Sequence, residues 1–184
     1  MSRALVESIV RMSKAASRDI VRYHMCGVAV ETRDKRYRVR ATDGYIVAED
    51  YMDAGTEIKA CIVPNEAIPK LKLLLKNSKT RSYEMDVEIE QQDKRLIFRA
   101  GREEVCEITC IDGEFPDTDF AWSKAKEDGR VEVKLNPDLL SALYEALNSE
   151  KRDSGVTLLI EPGTMSPIIV KHDGRQGLLC PMRK

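Results

Sequence analysis

The side chains able to do covalent chemistry are few and scattered. His24 and His172 lie in or at the end of strand-like segments, with no Ser or Cys nucleophile patterned beside them, which points to ordinary surface or satisfied roles. Cys26, Cys61, Cys106, Cys110 and Cys180 contain no C-x-x-C pair and are odd in number. They read as buried, reduced thiols of a cytosolic protein, with no metal or other cofactor expected. Asp112 and Asp117 flank a turn, and the glycines form neither a phosphate loop nor a dinucleotide fingerprint. The expectation is a binding protein and not an enzyme.

Two other groups of residues have binding chemistry. Arg3, Arg11, Lys14 and Arg18 fall within an arc of roughly 80° when projected at helical spacing, opposite an apolar stripe. Lys72 and Lys76 share a face of a second helical segment, followed by Lys79 and Arg81, and Arg152 lies near the end of a third. On spacing alone these cations are either a solvated face or a phosphate-contacting one. The second group is an apolar C-terminal tail, Gly177-Leu178-Leu179-Cys180-Pro181-Met182-Arg183-Lys184, where frayed polar residues are the norm. Leu178 and Leu179 fit a last core strand; Met182 and Arg183 lie beyond its alternation.

Composition limits the partners. The 184 residues are 42% apolar, 33% charged and 5% aromatic, with a formal net charge of −1, a soluble folded chain with a large charged surface. That balance argues against holding nucleic acid by bulk attraction alone, though not against a basic face inside a closed assembly. No apolar run approaches membrane-spanning length, and the N-terminal residues are charged where a signal peptide needs an apolar run. A cytoplasmic location and no membrane partner follow as expectations.

The positioning elements form repeats. Asp34-Lys35-Arg36-Tyr37-Arg38-Val39-Arg40-Ala41 recurs as Asp93-Lys94-Arg95-Leu96-Ile97-Phe98-Arg99-Ala100, and the same offset carries a helical segment near 3–17 onto one near 65–77. Leu5, Ile9, Met12 and Ala16 make the first apolar face; Ile68, Leu71 and Leu75 make the second, with Pro69 tolerated in its first turn. A third copy begins with a strand at Val131. Its helix starts at a cap, Asn136, followed by Pro137, carries Leu140, Leu143 and Leu147, and precedes strands near 156–161, 167–172 and 176–182. Asp43-Gly44 and Asp173-Gly174 read as tight hairpin turns. Residues 1–119 therefore hold two units, 120–129 a connector without periodicity, and 130–184 a third unit. One helix cannot cover its own three strands, so units must pack side by side.

Three segments now combine: Ala41 to Ala48, Asp112 to Asp117, and the terminal Pro181-Met182-Arg183. With Val21-Arg22-Tyr23 and Ile62-Val63-Pro64, they resemble, in order, segments of the bacterial DNA sliding clamp, the β subunit of the replicative DNA polymerase. Residues 1 to about 119 are similar to that family's middle domain, and the third unit to the closing half of its last domain. The resemblance implies an α+β fold, the DNA-clamp fold of βαβββ half-repeats, with helices on one face of a curved continuous antiparallel sheet. It implies that the basic helix faces line a hole around double-stranded DNA without regard to sequence. It implies a pocket walled by Met25, Thr42, Gly44, Tyr45, Ile46, Val47 and Pro116 and closed by Leu178, Leu179, Cys180, Pro181, Met182 and Arg183, which takes short peptides of DNA polymerase and clamp loader. Clamps of this family close as rings of twelve half-repeats, so three per chain predict a homotetramer. The chain departs from the family: its first domain and the first half of its last are not here, the strand before the first helix is missing, Tyr45-Ile46 stands where His-Arg is frequent, and Lys184 replaces an apolar residue. This reduced form points to a phage or mobile-element source. It also leaves a second reading, a clamp-like module that occupies partner peptides or interferes with a host clamp without encircling DNA.

Overall fold

The computed structural model of the chain describes residues 2–80, 87–100, 104–124, 133–147, 155–161, 166–172 and 175–182. The chain divides into two compact units, 1–121 and 122–184. In the first, helix α1 (Ser2–Met12) is followed by strands β1 (Gly27–Arg33), β2 (Arg36–Thr42), β3 (Val47–Asp53) and β4 (Cys61–Pro64). Helix α2 (Ile68–Thr80) then leads to β5 (Val87–Gln92), β6 (Arg95–Ala100) and β7 (Glu104–Thr109), and helix α3 spans Thr118–Lys124. The α+β architecture of antiparallel sheets under helices agrees with the expected fold class.

Each helix forms because its apolar residues return to one side. Leu5, Val6 and Ile9 of α1 are fully buried, as is Leu71 of α2, with Ile68 and Leu74 nearly so. Leu74, rather than the expected Leu75, completes the α2 face; Leu75 is half-buried against the same core. The strands pair in the order β3-β2-β1-β4 and β5-β6-β7, all antiparallel. The two sheets are tied by one antiparallel bridge, where the Ile111 amide donates to the Ile62 carbonyl at 2.8 Å. Strand β4 belongs to the second half by sequence but pairs with β1 of the first. At that crossing Gly27 is required, since a Cβ there would lie 2.4 Å from the Val63 carbonyl oxygen. Helices α1 and α2 pack together, and α1 also reaches β5 of the other half. One core results, with Leu5, Leu71, Val28, Tyr37, Leu96 and Phe98 among its buried residues.

The repeated Asp-Lys pairs are the hairpin turns of this unit. Asp34 and Lys35 (φ 52° and 62°) join β1 to β2, and Asp93 (φ 53°) begins the β5–β6 turn, the left-handed backbone that suits the twist of paired strands. Asp43-Gly44, expected as a tight turn, instead opens a wider loop over 43–46. The Asp43 carboxylate accepts the amides of Tyr45 (2.8 Å) and Ile46 (2.9 Å), and Gly44 takes φ 94°. The segment read as a connector contains α3. Asp117 caps it, accepting the Asp119 amide at 2.9 Å. Asp119 then pairs with Arg38 and, at 3.1 Å, with Arg33. Arg38 is almost wholly buried on β2 and also bonds Glu49 of β3. Burial works against its charge, and the hydrogen bonds to Asp119 and Glu49 outweigh that and hold its pKa above the ordinary value.

The second unit carries helix α4 (Pro137–Leu147) and strands β8 (Thr157–Leu159), β9 (Ile168–His172) and β10 (Arg175–Leu179), ordered β10-β9-β8. Asn136 caps α4 as its sequence predicts, accepting the Asp138 amide at 2.9 Å. Its core is small: Leu147, Ile168, Val170 and Leu179 are buried, with Val133, Leu135, Leu140 and Leu143 half-buried around them. Gly177 lets Leu143 lie on β10, where a Cβ would stand 2.6 Å from its Cδ1. The Met182 amide donates to the Lys134 carbonyl at 2.8 Å, the counterpart of the Ile111–Ile62 tie. The expected strand start at Val131 and the Asp173-Gly174 turn lie outside the described residues. Of the cysteines expected to be buried, Cys110 is; Cys26, Cys61 and Cys106 are half-buried and Cys180 is exposed, and all are free thiols.

Two outcomes test this packing. Leu71→Ala is expected to destabilise the first unit by about 2–5 kcal/mol, read from urea unfolding followed by circular dichroism; a loss under about 1 kcal/mol would contradict the shared core. Hydrogen bonding from Arg38, then Arg33, holds the Asp119 carboxyl at about 2, below its ordinary 3.8. A depressed carboxylate contributes stability above its unfolded pKa and loses it as pH falls through the folded value. The stability difference between wild type and Asp119→Asn should be full above about pH 4 and close towards pH 2; a pH-independent difference would contradict the pairing.

Candidate partner-peptide and nucleic-acid surfaces

Of the expected pocket residues of the first unit, Met25, Thr42, Gly44, Tyr45 and Ile46 lie on one loop cluster. Before β1 the chain runs through a 3-10 stretch, Ile20–Met25, started by Asp19, whose carboxylate accepts the Val21 amide at 3.0 Å. The Ser17 amide is shared between the carbonyls of Met25 (3.0 Å) and Thr42 (3.2 Å). Arg22 donates to the Asp43 carbonyl at 2.9 Å, which pins the 3-10 stretch to the 43–46 loop. A third loop closes in, with Gly113 placed so that a Cβ would meet the Tyr23 ring at 3.1 Å and His24 at 3.4 Å. Pro116, half-buried, follows Phe115, whose ring lies 5.4 Å from the Arg40 guanidinium carbon. His24 thus sits in a 3-10 turn and not in a strand.

Roles differ within the cluster. Thr42 is buried and braces the loop: its hydroxyl donates to the Ile46 carbonyl at 2.6 Å and accepts the Gly44 amide at 3.0 Å. Amides of Ile46 and Tyr45 hold the Asp43 carboxyl below its usual range, so the loop keeps its charge-assisted cap at any physiological pH. Tyr45 is 90% exposed, Val21 84% and Ile20 85%, with Ile46 and Tyr23 more than half exposed. Exposed apolar side chains on loops braced by these hydrogen bonds are a contact surface in want of an apolar partner. Ile20, Val21 and Tyr23 join the expected residues here. The sequence signal for them is Asp19, a cap followed by apolar residues that keep neither helical nor strand period.

In the second unit the tail divides. Leu179 enters the core, whereas Leu178 and Met182 are at least half exposed, Cys180 is exposed and Pro181 is half-buried. Arg183 lies outside the described residues. The Met182–Lys134 hydrogen bond anchors the segment beyond β10, so these apolar residues stand on a fixed backbone.

The basic faces carry less free charge than their spacing implies. Arg3 pairs with Glu7 at 3.1 Å, and Arg11 with Asp50 of β3, which also accepts the Ser8 hydroxyl at 2.6 Å. Burial acts to raise the Asp50 carboxyl, but hydrogen bonds from Ser8 and Arg11 outweigh it and keep it below the ordinary range. Lys14, in the 3-10 turn after α1, and Arg18 are exposed, as are Lys72 and Lys76 of α2. Lys79 falls in the last turns of α2; Arg81 and Arg152 lie outside the described residues. Among the described residues no group of His, Cys, Asp and Glu is arranged to hold a metal ion, and no helix is long and apolar enough to cross a membrane.

Comparison with known proteins places this architecture. The chain is similar to the beta sliding clamp of Buchnera aphidicola subsp. Rhopalosiphum padi, 27% identical over 164 residues that cover 87% of this chain and 42% of that protein. The crystal structure of the C. crescentus beta sliding clamp superposes with a TM-score of 0.76 at 24% identity, covering 96% of this chain and 48% of the other. The DNA polymerase sliding clamp of Pseudomonas aeruginosa gives a TM-score of 0.74 at 21% identity, with 97% and 49% covered. The chain thus spans about half the length of the relatives it matches. Residues 1–117 match the family model of the DNA polymerase III beta subunit, central domain, and the chain belongs to the DNA polymerase III beta subunit family, the bacterial sliding clamps.

Proposed function

We propose that this chain is a DNA sliding clamp that works as a homotetramer: four chains of three half-repeats close a ring of twelve around duplex DNA. It holds DNA by topology, with Lys14, Arg18, Lys72 and Lys76 facing the phosphates, and catalyses nothing. It acts in the cytoplasm, where it tethers DNA polymerase and clamp-loader peptides through short apolar segments. The observation that carries this reading is the outward apolar cluster of Ile20, Val21, Tyr23, Tyr45 and Ile46 on a clamp-family fold. Each apolar anchor buried there contributes roughly 1.5–3 kcal/mol, so two or three suffice after ordering costs. Leu178, Pro181 and Met182 supply further apolar anchors for such peptides in this reading, and Tyr45-Ile46 sets the preference for partner peptides.

A second reading is favoured by one feature. The Arg3–Glu7 and Arg11–Asp50 pairs neutralise part of the α1 face, and the whole chain has a net charge of −1. A module that only occupies partner peptides needs no positive channel.

Retention on DNA separates the two. A clamp loaded on nicked circular DNA is retained and slides off once the circle is cut; equal retention on both forms, or none on either, contradicts encirclement. Lys14→Glu with Arg18→Glu should weaken DNA association and lower the slope of log affinity against log salt by about 1 for each phosphate no longer neutralised. Peptide binding should stay unchanged in that variant. For the pocket, deletion of residues 181–184 or the double change Tyr45→Ala, Ile46→Ala is expected to weaken a polymerase-derived peptide at least about tenfold by calorimetry. Unchanged peptide affinity in both variants would reject the pocket assignment.

A further inference from the structure

The first unit shows how this fold completes a half-repeat. Each helix lies over the later strands of its own half: α1 over β2 and β3, α2 on β7, α4 on β9 and β10. The first strand after each helix is served by the other half. Strand β1 receives β4 along its edge, from Gly27↔Pro64 to Val30↔Cys61, and β5 is packed by α1. Both strands are accordingly buried, β1 at Val28, Ala29 and Val30 and β5 on one face through Val87 and Ile89.

Among its described residues the second unit shows one half-repeat, and the corresponding strand is exposed. Strand β8 is the outer strand of its sheet, and all three of its residues are exposed, Leu158 and Leu159 on opposite faces. Val156, Ile160 and Leu139 of α4 are exposed as well. The stretch 155–160, Gly-Val-Thr-Leu-Leu-Ile, contains no charge. Other outer strands are blunted by charge: Glu49 and Asp50 on β3, Glu88 and Glu90 on β5, Glu107 on β7, Arg175 on β10. Strand β4 has no charge either, and its outer side is bridged to Ile111. An uncharged apolar edge belongs in a pair. The unit also carries what such an edge takes in this fold, the segment 133–135 that leads into α4 as β4 leads into α2.

We propose that the third half-repeat pairs with the same half-repeat of a second copy, so that two chains complete one domain across a two-fold axis. Residues 133–135 of each copy lie along the β8 edge of the other, and each α4 covers the other's β8, as α1 covers β5. The donor and acceptor are on the same half-repeat, so the contact is self-complementary and closes at two copies. It removes the uncharged edge and gives the small core of Leu147, Ile168, Val170 and Leu179 its second layer. The pairing holds for a free dimer as much as for a ring, and does not depend on DNA encirclement.

Light scattering on the full chain, combined with amide hydrogen exchange, tests it. Wild type should be multimeric, and Leu158→Arg, which puts a charge at a 39% exposed position of the outer strand β8, should halve the mass. Leu73→Arg, an equal charge change at a 57% exposed leucine of α2, should leave the mass as in wild type. Exchange at 157–160 should slow as wild-type concentration rises, a readout that needs no variant. A wild-type monomer, an unchanged mass in Leu158→Arg, a mass halved by Leu73→Arg as well, or concentration-independent exchange at 157–160 each overturns the proposal. A wild-type dimer that Leu158→Arg splits supports the pairing while excluding the tetrameric ring, so the two readings fail separately.

Discussion

A single helix cannot cover the three strands that follow it, and the organisation of this chain turns on that constraint. In the first unit it is met internally. The strand before α2 crosses to β1, α1 reaches over to β5, and two half-repeats share one core. Neither half could exclude water alone, because its first strand would keep an apolar face bare. The described residues of the second unit show one such half, and there β8 is exposed.

The same arrangement positions the contact surfaces. Because β1 is drawn against β4, the chain entering β1 must turn sharply, and the 3-10 stretch Ile20–Met25 is that turn. Hydrogen bonds of Ser17, Arg22 and Thr42 hold the loop cluster together, and Val21, Tyr23 and Tyr45 remain exposed on it. In the proposed reading, function rests on side chains that the fold has no need to bury. The buried Arg38, by contrast, ties β1, β2, β3 and α3 together through Glu31, Glu49 and Asp119, and fixes the end of the first unit.

Periodicity and caps make the regular elements legible. Leu5 and Ile9, Leu71, and the Asn136-Pro137 start of α4 announce three helices, and the Asp-Lys-Arg repeat announces the duplication. What stays hidden depends on local bonding and not on period. The 3-10 stretch has no apolar repeat, α3 is two turns whose Asp119 is held by a distant arginine, and Asp43-Gly44 opens a wider loop because Asp43 caps two amides. The cation arc on α1 is legible as spacing, but its neutralisation by Asp50 requires β3 to be packed beneath it. By sequence Leu179 suits both core and pocket, and burial places its side chain in the core.

Direct imaging of the assembled particle by electron microscopy tests the central claim, that chains of three half-repeats complete one another into a clamp. The expected image is a closed ring of four chains with an open centre that admits duplex DNA. An open arc, a filled particle or isolated single chains would contradict it.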